Sequence, residues 1–157
     1  SLGSRGLGDV YKRQIILFLN GCGYTPLYSS KDSNYKVISL NKNVNNSLTN
    51  YVQNSIKVIS NENAEKSLNI SFEYNENISV ILKNSKGDPT KNRLNVVIDL
   101  SLFDNSDNLI ISKKFSESFE YNIDDNKFNL KQYEKNIKLN LVEDITQQIL
   151  VFLASVK

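Results

Sequence analysis

The chain has 157 residues, of which 39% are hydrophobic and 23% charged, with a net charge of +2; that size and mix point to one globular domain rather than a disordered chain. It has no His, Met or Trp and a single Cys, which excludes Ser–His–Asp and Cys–His catalysis, His metal ligands, a disulfide framework and a zinc ribbon. The charge is no nucleic-acid signature, and no apolar run approaches the ~18–20 residues of a membrane span.

Ser1 to Gln14 reads SLGSRGLGDVYKRQ. Its Gly/Arg character differs from the Asn/Lys/Ile-rich remainder of the chain, which holds most of the 23 Asn. It resembles a translated sequencing-adapter remnant, so residues 1–21 are expected to be a non-native leader plus a truncated lipoprotein signal. Ile15 to Leu19 is apolar and runs into Asn20-Gly21-Cys22, which resembles a lipobox. A small residue before the Cys admits the signal peptidase; the thiol takes a diacylglycerol and the freed amine an acyl chain. Cys22 is therefore the expected lipidation site, and residues 22–34 a lipidated tether. Gly23, where an Asp would resemble an inner-membrane retention signal, resembles outer-membrane sorting. From Cys22 onward the chain carries 16 basic and 16 acidic residues, so ionic recognition has to be local.

A single domain is expected over residues 35–157. Tyr35–Leu40 alternates weakly as a first strand, with Tyr35, Val37 and Ser39 opposing Lys36, Ile38 and Leu40. Asn45, Asn46 and Ser47 offer N-caps to a helix whose stripe is Leu48, Tyr51, Val52, Ser55, Ile56 and Ile59. From Leu68 to Leu82 the even positions are apolar except Glu76, predicting one long strand bulged near Asn75–Asn77. Gly87-Asp88-Pro89-Thr90 and Asp104-Asn105-Ser106-Asp107 read as turns. Leu94, Val96, Ile98, Leu100 and Leu102 form the next inward row; Leu109, Ile111, Phe115, Phe119 and Tyr121 form the last. Asn129 with Gln132 resembles a capping box, opening a helix of about 25 residues marked by Leu130, Tyr133, Ile137, Leu141, Ile145, Ile149 and Phe152. The order β-α-β-β-β-α requires a parallel first pair. It predicts an α+β two-layer sandwich: a four-stranded mixed sheet with two helices on one face.

Catalytic signals are poor. The close acidic pairs Glu143/Asp144, Asp124/Asp125 and Glu117/Glu120 read as solvated surface. After Gly23 only Gly87 remains, so there is no phosphate-binding loop. Asp104–Asp107 lacks the spacing of a calcium loop. The chain is expected to be no enzyme and to carry no cofactor beyond the covalent lipid on Cys22.

The opening Cys22-Gly23-Tyr24-Thr25-Pro26-Leu27-Tyr28 resembles the mature start of the LptE family of lipopolysaccharide-assembly lipoproteins, and the element order is similar to that family's over Cys22–Lys157. Phe115–Tyr121 and the helix bearing Asn140-Leu141-Val142-Glu143-Asp144-Ile145 and Gln148-Ile149 resemble its closing strand and helix. The resemblance implies a lipid-anchored protein on the periplasmic face of the outer membrane, held in the inner leaflet. It implies a plug in an LptD-type barrel that assists barrel assembly and lipopolysaccharide transport, with no nucleic-acid partner. The alternative is a generic periplasm-facing scaffold or pilot without lipopolysaccharide binding.

Two surfaces are candidates for such contacts. Ile149–Val156 is apolar nearly all round, so Leu150, Val151, Leu153 and Ala154 are candidates for a partner interface. The turn from Lys83 to Arg93 holds Lys83, Lys86, Lys91 and Arg93 against one acid, Asp88, a local charge of +3. These four are candidates for the anionic lipopolysaccharide head group, Arg93 foremost because its fork binds phosphate bidentately.

Overall fold

The fold was obtained as a computed structural model, and the structure describes residues 34–156. The leader, Cys22 and all but the last residue of the tether lie outside the described residues. The elements are β1 (Tyr35–Lys42), α1 (Ser47–Val58), β2 (Lys66–Lys83), β3 (Pro89–Phe103), β4 (Leu109–Asn122) and α2 (Lys127–Ser155). The sheet order is β1-β2-β3-β4, with β1 parallel to β2 and the other pairs antiparallel. This is the expected α+β arrangement.

β1 shows why its alternation was weak. Its register steps from Val37↔Leu68 to Ser39↔Asn69, which leaves Ile38 as a bulge. A bulge inverts the facing of the residues beyond it, so Leu40 joins Val37 against the core while Ile38 stands in solvent. α1 begins at Asn46, whose side chain accepts from Thr49 N–H while the Thr49 hydroxyl accepts from Asn46 N–H. Thr49 is fully buried, and its hydroxyl also donates to Val44 O at 2.8 Å. Val52, Ile56 and Ile59 are buried, as the stripe requires.

β2 does not bulge where expected. It pairs with β3 residue by residue from Asn69 to Val80, and the irregularity comes at Ile81. The charged residue that prompted the expectation, Glu76, keeps its inward position because both carboxylate oxygens are engaged. Tyr74 OH donates to one at 2.5 Å and Lys138 Nζ to the other at 2.5 Å. β2 also outruns its cover. β1 ends opposite Phe72, so Ile78 and Val80 hold inward parity yet are exposed, while Leu82, beyond the irregularity at Ile81, pairs opposite Lys91 and is exposed as well. The β3 row is central and wholly buried, from Leu94 to Leu102. On β4 only Phe115 and Tyr121 of the expected row are buried, whereas Ile111 and Phe119 are exposed along the sheet edge; Leu109, also exposed, leaves the row because the register skips Ile110 and sets Leu109 opposite Phe103.

α2 starts earlier than expected. Its N-cap is Asn126, which accepts from Phe128 and Asn129 N–H at 3.0 and 3.2 Å. Asn129 is thus inside the first turn, and the Asn129/Gln132 box does not form the cap. The helix runs 29 residues. One row, Ile137, Leu141, Ile145 and Ile149, was legible as a stripe. A second row, Val142, Thr146, Leu150 and Leu153, is also buried, because α2 packs on both the sheet and α1.

Candidate functional site

The basic hairpin is built around Asn84. Its N–H donates to Asp88 O at 2.9 Å, and its Oδ1 accepts from the N–H groups of Lys86 and Asp88, each at 2.9 Å. Gly87 has φ +88°, the left-handed conformation that a residue without Cβ adopts freely. This fixed tip presents Lys83 and Lys86 to solvent, with no ion pair among the described residues. The other two candidates point elsewhere. Lys91 Nζ and Arg93 Nη2 reach the outer, polar face of the sheet and bind the two oxygens of Glu120 at 2.8 and 2.6 Å. Hydrogen bonds from Lys91 and then Arg93 hold the Glu120 carboxyl down at about 2. Glu120 is 27 residues from Arg93 in the chain, so the local charge read from the hairpin alone missed it. It offsets one unit of that charge and occupies the Arg93 fork. The hairpin therefore does not act as one cluster: Lys83 and Lys86 form the open part.

The four interface candidates also divide. Leu153 is fully buried and Leu150 nearly so, whereas Val151 is 51% exposed and Ala154 lies at the surface. The surplus apolar side of the helix end is half occupied by the domain's own core, because α1 lies beside it. Leu150 and Leu153 are core residues; a partner at this end meets Val151 and Ala154. Alongside, a groove of about 580 Å³ runs between β4 and α2, lined by Lys113, Phe115, Gln148, Val151 and Phe152 among others. Phe115 and Phe152 pack edge to face at 5.8 Å, and Lys113 Nζ lies 4.6 Å from the Phe152 ring centroid.

Three inward-facing acids clamp strands to helices. Burial pushes the Glu76 carboxyl up, but hydrogen bonds from Lys138 and Tyr74 outweigh it and leave it below the ordinary range. Burial, then the Glu76 bond, raises the Tyr74 phenol. Tyr121 OH donates to Glu134 Oε1 at 2.5 Å, and burial with that bond pushes its pKa up to about 12. Gln148 Nε2 donates to Glu117 at 2.6 Å. Each acid is engaged with a strand or helix partner, which suits fastening α2 to the sheet. Among the described residues no group of three or more His, Cys, Asp or Glu could hold a metal ion, and no helix is long and apolar enough to cross a membrane.

No family model and no curated protein matches this chain. Solved structures do. The minor lipoprotein from Acinetobacter baumannii is 18% identical, with 78% of this chain and 93% of that chain covered and a TM-score of 0.62. Lipoprotein B from Nitrosomonas europaea is 13% identical, covering 82% and 88%, with a TM-score of 0.60. The rare lipoprotein B from Shewanella oneidensis is 11% identical, covering 74% and 95%, with a TM-score of 0.55. The chain shares the fold of these lipoproteins. At such identities the likeness is one of architecture, and it spans nearly the whole of each neighbour.

Proposed function

We propose that this chain is an LptE-like lipoprotein: anchored by lipid on Cys22 to the periplasmic face of the outer membrane, plugging an LptD-type barrel, assisting its assembly and taking part in lipopolysaccharide transport. The role is non-catalytic and needs no cofactor beyond the lipid. The observation that carries the reading is a lipoprotein-like fold placed directly behind the Cys22-Gly23-Tyr24-Thr25-Pro26-Leu27-Tyr28 opening. Exposed apolar side chains at Ile78, Val80, Leu82 and Val151 supply surface for a large partner. With a native signal restored, Cys22→Ser should release the protein from membranes, since acyl chains contribute ~0.8 kcal/mol per buried CH₂ and resist salt. The deciding experiment is a pull-down from solubilised outer membrane. A stoichiometric large barrel is expected, and its repeated absence would sink the plug role.

The pairing of Lys91 and Arg93 with Glu120 favours the alternative on one point, a scaffold or pilot that does not bind lipopolysaccharide. The two readings part on lipopolysaccharide binding by the purified chain.

A further inference from the structure

The two edges of the sheet are finished differently. On β1 the outer backbone groups are occupied: Tyr35 O accepts from Asn61 N–H at 3.1 Å, Val37 N–H donates to Ser60 Oγ at 2.9 Å, and Leu40 O accepts from Gln53 Nε2 at 3.5 Å. The bulge at Ile38 breaks up the rest of that edge. β4 has no such hydrogen bonds, and its one bulge, at Ile110, lies at the very start of the strand. It pairs with β3 in unbroken register from Ile111 to Asn122, and among the described residues no backbone group on its outer side is hydrogen-bonded. At ~3.4 Å per residue the stretch from Ile111 to Asn122 presents an open edge of about 40 Å. Such an edge is a template for another strand.

We propose that this edge pairs antiparallel with β4 of a second copy of the chain, about a two-fold axis perpendicular to the sheet and midway between the two Phe115 residues. The self-complementarity of the strand selects this occupant. Such an axis keeps the two faces in line, so each residue meets the one equally far on the other side of Phe115, on the same face. Lys113 then faces Glu117 of the second copy and Glu117 faces its Lys113. Ile111 meets Phe119. Ile111 and Phe119, 39% and 45% exposed in the single chain, thereby cover one another. Opposite charges and apolar pairs directly across an antiparallel ladder are favourable, and like charges are not.

Neighbouring registers lack this fit. An axis at Lys114 sets that lysine against its own copy. An axis at Ser116 sets Lys113 against Phe119 and Phe115 against Glu117. Edge lysines ordinarily deter pairing; here Lys113 and Glu117 flank Phe115 symmetrically and turn the deterrent into a register. Both charges are already held in place, Lys113 over the Phe115 and Phe152 rings and Glu117 by Gln148. The β4–α2 groove with exposed Val151 opens at the same edge, giving the pairing a second layer to cover.

The inference stands apart from the envelope role and is read on the purified chain. Sedimentation equilibrium of the full chain carrying Cys22→Ser, which removes the thiol as a source of covalent dimers, is expected to give twice the chain mass at micromolar concentration. Lys113→Glu and Glu117→Lys each create two like-charge contacts and should raise the dimer dissociation constant at least about tenfold, equivalent to ~1.4 kcal/mol. Mixed in equal amounts, the two variants should associate like the unreversed chain, because opposite charges again face each other. Circular dichroism melts establish that each variant folds; should one fail, the mass of the unreversed chain still decides. A single-chain mass up to millimolar concentration, association indifferent to both reversals, a mixture that stays dissociated, or assemblies beyond two copies would each overturn the proposal.

Discussion

Leu153 and Val151 are two residues apart on one apolar helical end, and their surroundings are opposite. Leu153 is fully buried, whereas Val151 is half exposed. Leu153→Asp places an unpaired carboxylate in the core and should cost about 3–5 kcal/mol. Val151→Asp should stay within about 0.5 kcal/mol, as surface changes do. Urea denaturation of both variants measures the difference, and equal midpoints would contradict the packing. Glu120 and Glu76 contribute to the acid dependence of the fold, as does Asp104, whose carboxyl is held down by hydrogen bonds from Asn108 and Ser106. Both glutamates have folded pKa values below their unfolded value of 4.5. Their contribution is therefore complete above that pH and is lost as pH falls toward the folded values, about 2 for Glu120. Glu120→Gln should flatten the loss of stability between pH 4.5 and 2, visible as a shallower drop in the denaturation midpoint. A slope identical to that of the unaltered protein would mean that the Lys91–Glu120–Arg93 bridge is absent in solution.

Helix starts show how element boundaries are chosen among competing caps. Asn126 and Asn129 both precede or open the apolar stripe of α2, but only Asn126 has extended backbone, with φ −77° and ψ 99°, and takes the first-turn N–H groups. An N-cap needs that non-helical conformation, while a residue already inside the turn gains nothing from a short polar side chain. Asn126→Ala should cost about 1 kcal/mol, and Asn129→Ala should be neutral or slightly stabilising. Thermal melts of the two variants test this, and the reverse order would return the cap to Asn129. The strands carry a parallel lesson. β2 and β4 have the inward periodicity of core strands, yet their apolar residues are buried only where a helix or neighbouring strand lies over them. Ile78, Val80 and Leu82 exceed the reach of β1. Leu109 and Ile111 belong to the edge strand.

For the whole molecule, a formally neutral chain from Cys22 onward leaves recognition of an anion to local charge. At the hairpin tip that charge is Lys83 and Lys86, since Glu120 holds Lys91 and Arg93. In the proposed role, the Lys83→Glu, Lys86→Glu double variant should weaken lipopolysaccharide binding by about tenfold, ~1.4 kcal/mol, with the fold and barrel capture unaffected. Lys91→Glu and Arg93→Glu should instead disturb the outer sheet face, because each brings a like charge to Glu120. Binding to immobilised lipopolysaccharide at low and physiological salt separates them. If the tip variant binds as the unaltered chain does, the hairpin is only a solubilising turn.

The element order, the parallel first pair and the β3 row were written in the sequence, because period-two and period-3.6 apolar patterns are local and each demands its own secondary structure. The α1 cap was legible only as a choice among Asn45, Asn46 and Ser47; the structure selects Asn46. Other features depended on groups far apart in the chain. Glu76 stays inward only because Lys138, 62 residues away, is there to pair with it. Arg93 is engaged only because β4 brings Glu120 across from it. Leu150 and Leu153 are core because α1 happens to lie along α2. Which apolar residues are left uncovered, from Ile78 to Leu82 and along β4, depends on strand lengths and sheet order. An apolar side chain specifies that it should be covered; only the assembled tertiary structure decides whether the chain itself provides the cover.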